Sequence, residues 1–287
     1  MQVPERPSTT CTPATLAWMT DLLAPLELAP EDSGLFLDFD GTLSEIVHIP
    51  SEARPIEGTL ELLSELSGTL KLVAIVSGRS ATQLHEWLGP GIEIWGTHGA
   101  ERIVDGHAVL SDLALPHREL MESVIEEAAE KMEALDLPGT ILEDKRVMIG
   151  LHFRAADDLL AAERELDRLA QELADRHGLI RAGGRLAYEL RPPVEFSKAA
   201  VVLERARAEE LRSVVFIGDD RVDLPGFDAL DRLAEEGAHT VRVAVNSSEA
   251  PPELLERADV VVEGPSGVLS LLRPLLAIGR KDGGRPR

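Results

Sequence analysis

Gly34-Leu35-Phe36-Leu37-Asp38-Phe39-Asp40-Gly41-Thr42-Leu43 is a short apolar run that ends in two carboxylates and a Gly-Thr pair. An apolar run of this length, bounded by turn residues, reads as a buried strand. Side chains two apart on a strand share a face, so Asp38 and Asp40 point to one side of its end. Two carboxylates held that close repel each other unless a metal ion or a shared proton compensates. The stretch therefore points to chemistry at the carboxyl end of a buried strand. In isolation it is also a serviceable turn, because Asp and Gly are common turn formers, so the rest of the chain has to separate the two readings.

Outward from this stretch, apolar strands alternate with helical patterns. A helix is expected over 56–68, a strand over 71–76, a helix over 80–88 and a strand over 92–96. The pattern resumes with a helix over 198–212, a strand over 214–217, a helix over 225–236, strands over 240–245 and 259–262, and a closing helix over 266–276. Continuous apolar strands between helices imply a parallel sheet covered on both faces. Residues 13–24 are expected to form an N-terminal helix that Thr12 caps and Pro25 ends.

The middle of the chain has a different character. Helical patterns over 118–135 and 157–177 flank and precede short strands over 140–143, 147–154, 179–182 and 186–191, the last three of which roughly alternate apolar with polar residues. The expected architecture is α/β: a Rossmann-like core with a parallel sheet, built from 1–104 and 191–287, and a smaller α+β domain, 105–190, inserted into it. Hinges are expected near 102–106 and 191–195, where Gly106, Pro192 and Pro193 mark linkers. The first dozen residues and the basic, Gly-rich tail are expected to be disordered.

The chain has 287 residues, 44% hydrophobic and 28% charged, with a net charge of -22. Nucleic acid and anionic membranes need a basic surface, so neither is an expected partner. An acidic protein that binds an anionic substrate has to build a local positive site from a cation, basic side chains or helix N-termini. Most of the acidity reads as a solvated surface. No apolar run has the length of a membrane span. Met1–Thr12 lacks the basic-then-apolar order of a secretory leader, and Cys11 is the only cysteine, so no disulfide framework is expected. A cytoplasmic monomer is the expectation.

Three further segments fall at element ends of the core: Ser77-Gly78-Arg79, Lys198, and Gly218-Asp219-Asp220-Arg221-Val222-Asp223. In open α/β sheets the binding crevice lies beyond the carboxyl ends of the strands, so Asp38, Asp40, Ser77, Asp219, Asp220 and Asp223 can converge. Several carboxylates suit a hard, oxygen-liking cation such as Mg2+. A hydroxyl and a lysine beside them suit phosphoryl oxygens. A carboxylate beside a metal can attack phosphorus, and a second can move the protons. Taken singly, Ser77 reads as a helix cap, Lys198 as a solvated helix residue and Asp219 or Asp220 as helix-capping acids. The scattered histidines show no zinc-like spacing.

Asp38-Phe39-Asp40-Gly41-Thr42, Ser77, Lys198 and Gly218-Asp219-Asp220-x-x-Asp223 resemble the four motifs of the haloacid dehalogenase (HAD) superfamily of phosphatases, in the same order. The insertion between Ser77 and Lys198 lies where that superfamily carries its C2-type cap. Within the superfamily the chain is most similar to trehalose-6-phosphate phosphatases, on Gly96-Thr97-His98-Gly99-Ala100-Glu101, Glu143-Asp144-Lys145 with His152-Phe153-Arg154, and Glu189-Leu190-Arg191-Pro192.

The resemblance implies Asp38 as nucleophile and Asp40 as general acid/base, with Ser77 and Lys198 on the phosphoryl oxygens. It implies Mg2+ held by Asp38, Asp219 and the Asp40 carbonyl, with Asp220 or Asp223 as outer ligands. It puts Arg79, His98, Glu101, Lys145, Arg154, Glu189 and Arg191 on the substrate. Singly, His98 reads as a structural histidine and the charged strand residues as surface groups. The implied activity is Mg2+-dependent hydrolysis of trehalose 6-phosphate through an aspartyl-phosphate.

Three departures stand against the family pattern: Ala199 after the lysine, Leu224-Pro225-Gly226 after the last Asp, and Gly184-Arg185 in place of Gly-Lys. Sucrose phosphate, mannosyl-phosphoglycerate or a trehalose-like pseudo-disaccharide phosphate are alternative substrates. A non-catalytic sugar-phosphate-binding regulatory domain is the alternative of another class, and a phosphomutase also uses an aspartyl-phosphate. Silent domains typically lose a nucleophile or a metal ligand, whereas Asp38, Asp40 and Asp219 are all present.

Overall fold

In the computed structural model, residues 22–47, 52–184, 186–194, 196–247 and 250–277 are described. Cys11, Arg185, the expected N-terminal and tail disorder, and most of the expected N-terminal helix lie outside them. Residues 22–28 are helical (α1). Pro25 does not end this helix: it continues past the proline, and the Ala29 N–H donates to the Pro25 carbonyl at 3.1 Å. A proline lacks only its own N–H and still accepts from the residue four later.

The chain divides into two compact units, Met1–Ala108 with Ser197–Arg287, and Val109–Phe196. The first is built on an eight-stranded sheet in the order β12-β11-β10-β1-β2-β3-β4-β5. Its strands are β1 (Ser33–Leu37), β2 (Leu72–Val76), β3 (Glu93–Gly96), β4 (Glu101–Val104) and β5 (His107–Leu110), then β10 (Ser213–Gly218), β11 (His239–Asn246) and β12 (Val260–Glu263). From β12 to β3 every pairing is parallel. The chain winds from β1 through β2 to β3 in one direction and from β10 to β12 in the other. The crevice beyond the carboxyl ends of β1 and β10 is therefore the topological switch point, where ligands of such sheets bind.

Strand residues alternate between two apolar layers. Leu35, Leu37, Ile75, Val215, Ile217 and Val243 enter one, and Phe36, Ala74, Val76, Phe216 and Ala244 the other. That double burial is why these strands read as unbroken apolar runs. The first layer also holds residues of α2 (Thr59–Ser67), α3 (Ala81–Leu88) and α9 (Gly264–Leu272). The second holds residues of α6 (Lys198–Ala208), α7 (Leu224–Glu235) and α8 (Pro252–Arg257). The Leu224-Pro225-Gly226 departure has a local reason. Leu224 packs on the second layer, Pro225 fits the first helical turn, and Gly226 lets the helix lie against Phe216, where a Cβ would come within 2.6 Å of the ring.

The segment expected as a hinge near 102–106 is a hairpin. β4 runs antiparallel to β3, and Asp105 and Gly106, at φ 50 and 78, connect it to β5. Two consecutive positive φ values make the tight turn that matches strand twist, for which Asp-Gly is a preferred pair.

The second unit has a four-stranded antiparallel sheet in the order β6-β7-β9-β8: β6 (Ile141–Asp144), β7 (Ile149–His152), β8 (Ile180–Gly184) and β9 (Ala187–Arg191). Its long helices are α4 (Arg118–Leu135) and α5 (Leu159–His177). Met121, Val124, Leu166, Leu169 and Leu173 pack with Ile149, Leu151 and Leu190. Glu143, Gly150 and Glu189 stand side by side in register, so their side chains lie on the opposite face from those apolar residues.

Candidate active site

The carboxyl ends of β1 and β10 are joined: the Asp38 N–H donates to the Ile217 carbonyl at 2.9 Å. This puts Asp38, one residue past β1, beside Asp219, one residue past β10. Gly41 has φ 72 and lies so close to Asp219 that a Cβ would overlap its carboxylate, so only glycine fits between the two loops.

Asp38, Asp219 and Asp223 are buried, with one carboxylate oxygen of each within 4.8 Å of the others. Lys198, the first residue of α6 and only 1% exposed, lies among them. Its ammonium is 2.7 Å from Asp38 Oδ1 and 2.6 Å from Asp223 Oδ1. The other oxygen of Asp223 accepts from the backbone N–H groups of Asp219 (3.0 Å) and Asp220 (3.1 Å). Asp223 thus fixes both the lysine and the loop that carries Asp219. Asp220 is exposed and its carboxylate accepts from the Arg221 N–H at 2.6 Å, so it caps the short helical turn that follows instead of joining the cluster.

Three buried carboxylates against one ammonium leave uncompensated negative charge. Burial, partly offset by Lys198 and reinforced by Asp223, raises the Asp38 pKa from 3.8 to about 7. Burial and then the charges of Asp38 and Asp223 raise Asp219 to about 9. Burial alone would lower Lys198, but the Asp223 and Asp38 charges outweigh it and hold the lysine protonated. A divalent cation would supply the missing charge, and an all-oxygen donor set is what a hard cation prefers. The hydroxyl of Thr42 is also buried without a hydrogen-bond partner among the described residues. The residues therefore fit a metal ion.

Ser77, 1% exposed, follows β2, and its hydroxyl accepts from the Arg79 N–H at 3.3 Å. The same loop is stitched to the segment after β3: Thr97 N–H donates to Arg79 O (2.8 Å) and His98 N–H to Ser77 O (2.9 Å). These bonds hold Thr97 and His98 at φ 50 and 55, a costly backbone for a β-branched residue, and bring the His98 ring against Gly78.

Asp40 turns its carboxylate to Arg79, expected as a substrate contact. Arg79 Nη2 lies 2.6 Å from Asp40 Oδ1 and Nε 2.7 Å from Oδ2. Glu101, also expected on the substrate, has a fully buried side chain that accepts from the Ala81 N–H at 3.0 Å, bracing the first turn of α3. A carboxylate there meets the positive end of a helix.

In the second unit, Lys145 Nζ donates to Glu189 Oε1 at 2.8 Å and lies 3.6 Å from Glu143 Oε2. Glu143 in turn is 2.8 Å from His152 Nε2. Glu143 and His152 lie in the stretches that carry the family resemblance but outside the expected site residues, and strand register puts them on one face. Arg154 is exposed two residues past β7. Arg191 donates to the Val194 carbonyl at 2.7 Å and braces the exit from β9. Gln83 and Trp87, which contact Arg79, are missed as well; their four-residue spacing on α3 was the available signal.

A family model described as trehalose-phosphatase matches residues 36–258. A trehalose-phosphate phosphatase of Mycobacterium avium is 34% identical over 217 residues, covering 71% of this chain and 52% of that protein. The chain spans 15% to 60% of the length of the curated relatives it matches. A crystal structure of a trehalose-6-phosphate phosphatase related protein superposes with a TM-score of 0.70 at 24% identity, over 86% of this chain and 99% of that one. A haloacid dehalogenase-like hydrolase from Bacteroides thetaiotaomicron shares the fold, with a TM-score of 0.57 at 18% identity over 85% of this chain and 99% of that one. By its motifs, its switch-point carboxylates and a family match across most of its length, the chain belongs to the trehalose-phosphatase family.

Proposed function

We propose that this chain hydrolyses trehalose 6-phosphate to trehalose and phosphate, with Mg2+ as cofactor. The observation that carries the reading is the buried Asp38, Asp219 and Asp223 cluster around Lys198 at the switch point. Asp38, whose Oδ1 faces Lys198, attacks phosphorus with its other oxygen and forms an aspartyl-phosphate. Asp40 protonates the departing sugar oxygen and then takes a proton from the water that cleaves the intermediate. Lys198 and Ser77 donate to the phosphoryl oxygens. Asp38 and Asp219, with the carbonyl of Asp40, would hold Mg2+, which neutralises charge on the phosphoryl group. In the second unit, Lys145 and Glu189 offer a donor and an acceptor suited to sugar hydroxyls, with Arg154 and Arg191 at the edge of that face and His98 beside the phosphoryl donors.

The test is phosphate release from trehalose 6-phosphate with and without Mg2+, beside sucrose phosphate, mannosyl-phosphoglycerate and glucose 6-phosphate. Release that needs Mg2+ and a kcat/KM for trehalose 6-phosphate at least about tenfold above the others is expected. Equal rates across the panel, or release unaffected by chelation, would overturn the reading.

The raised carboxylates make a second prediction. Without metal, the folded chain keeps protons on Asp38 up to about 7 and on Asp219 up to about 9, while the unfolded chain loses them near 3.8. The folded state binds more protons across that window, so these groups make stability fall as pH rises through it. A bound cation needs the carboxylates ionised. The gain in Tm on adding Mg2+ is therefore expected to grow from pH 6 to pH 8.5, with proton release on binding measurable by calorimetry in buffers of different ionisation enthalpy. A gain that shrinks with pH would place the ion elsewhere.

A further inference from the structure

Arg79 holds Asp40 by a two-pronged fork, and its own position is fixed from three sides. Its Nε and Nη2 take both oxygens of Asp40, at 2.7 and 2.6 Å. Its Nη1 donates to Gln83 Oε1 at 3.2 Å. Its guanidinium carbon lies 4.9 Å from the centre of the Trp87 ring and 5.7 Å from that of Phe39, and those two rings are themselves in contact at 5.2 Å. The Arg79 side chain is 11% exposed and that of Asp40 is 41% exposed. The arginine therefore backs the carboxylate, while the carboxylate keeps an open side. A planar guanidinium meeting a carboxylate in this way fixes the orientation of the carboxylate plane as well as its place. The same Ser77-Gly78-Arg79 loop carries the hydroxyl assigned to the phosphoryl group, so one loop sets the register of both.

We propose that Arg79 is a positioning residue for proton transfer by Asp40, and not a substrate contact: it holds the Asp40 carboxylate in the orientation from which it meets the departing oxygen. The step it serves is the transfer of phosphorus from the ester oxygen to Asp38. The Asp38 oxygen–phosphorus bond forms, the phosphorus–ester oxygen bond breaks, and the ester oxygen leaves with the proton of Asp40. A leaving group that departs as a stable anion, such as 4-nitrophenolate, needs no such proton. The inference rests on the phosphatase reading above.

The experiment is single-turnover phosphoryl transfer to Asp38 from trehalose 6-phosphate and from 4-nitrophenyl phosphate, in wild type, Arg79→Ala, Arg79→Lys, Asp40→Asn and Arg79→Ala with Asp40→Asn. Arg79→Ala is expected to slow transfer from the sugar ester by about 10²-fold and the release of 4-nitrophenolate by less than about threefold. In the Asp40→Asn background the same change should add less than about threefold, because the two residues act as a unit. Arg79→Lys keeps the charge without the fork, so it is expected to show the same selectivity for the sugar ester, and it serves if the alanine variant fails to fold. Equal slowing of both esters, full additivity with Asp40→Asn, or a raised KM with kcat unchanged would overturn the role. A wild-type chain that hydrolyses neither ester overturns the phosphatase reading itself, whereas one that hydrolyses both while Arg79→Ala slows them alike overturns only the role of Arg79.

Discussion

Asp38→Asn should abolish phosphate release, by about 10⁴-fold or more, while the chain stays folded. The substitution removes the charge of the oxygen proposed to attack and changes side-chain volume very little. Its effect on stability is argued from the cluster. Asp38 is buried with its pKa raised to about 7 by that burial, so at neutral pH its ionised form is less favoured than that of an ordinary carboxylate. An amide removes one of three crowded carboxylates. Lys198 loses the charge of its partner at 2.7 Å, whose amide oxygen can still accept, and keeps Asp223 at 2.6 Å. In metal-free buffer the Tm should therefore stay within a few degrees of wild type. Phosphate release at the wild-type rate would remove Asp38 from the mechanism. Loss of activity together with a collapsed melting transition would mean that the residue is needed for folding.

Lys198→Met should cost both stability and activity. The two side chains are of similar length, so the change is largely one of charge. It would leave Asp38 and Asp223 buried without their shared cation, a loss of about 3–5 kcal/mol for a broken buried pair. It would also remove the donor proposed for the phosphoryl oxygens, worth about 10²-fold or more in kcat. The pH dependence separates charge from packing. At pH 5 the carboxylates can take up protons in place of the missing ammonium, so the penalty should be smaller than at pH 8. Thermal melts of wild type and variant at both values are the check. An equal penalty at both would assign the loss to packing.

The strands that read cleanly from the chain are those buried on both faces. Leu35 and Leu37 enter one apolar layer and Phe36 the other, so burial leaves a local signature in each run. The hairpin over β4 and β5 leaves a weaker signature because its residues are mostly exposed or half-buried. Without continuous burial, its charged and polar residues resemble a linker, and the Asp105-Gly106 turn resembles a hinge. Residues 198–212 show a related limit: the helix stops at Ala208, and Leu211 already belongs to the core beneath β10.

At the site, the residue types and their order along the chain are written locally. A carboxylate pair after an apolar strand, a hydroxyl after the next and an acidic loop after a third follow from strand periodicity and the turn chemistry at strand ends. Which of these groups meet does not follow, because it depends on where separate loops aim their side chains over long sequence separations. Asp223 lies among the buried carboxylates while its neighbour Asp220 faces out, because Asp223 turns back onto two backbone N–H groups and Lys198. Glu101 is drawn under α3 by an unpaired helix N–H. Asp40 and Arg79, 39 residues apart in the chain, become one unit only because β1 and β2 lie side by side in the sheet. The chemistry is thus carried by residues that each strand end displays, and their pairing by the sheet order that brings those ends together.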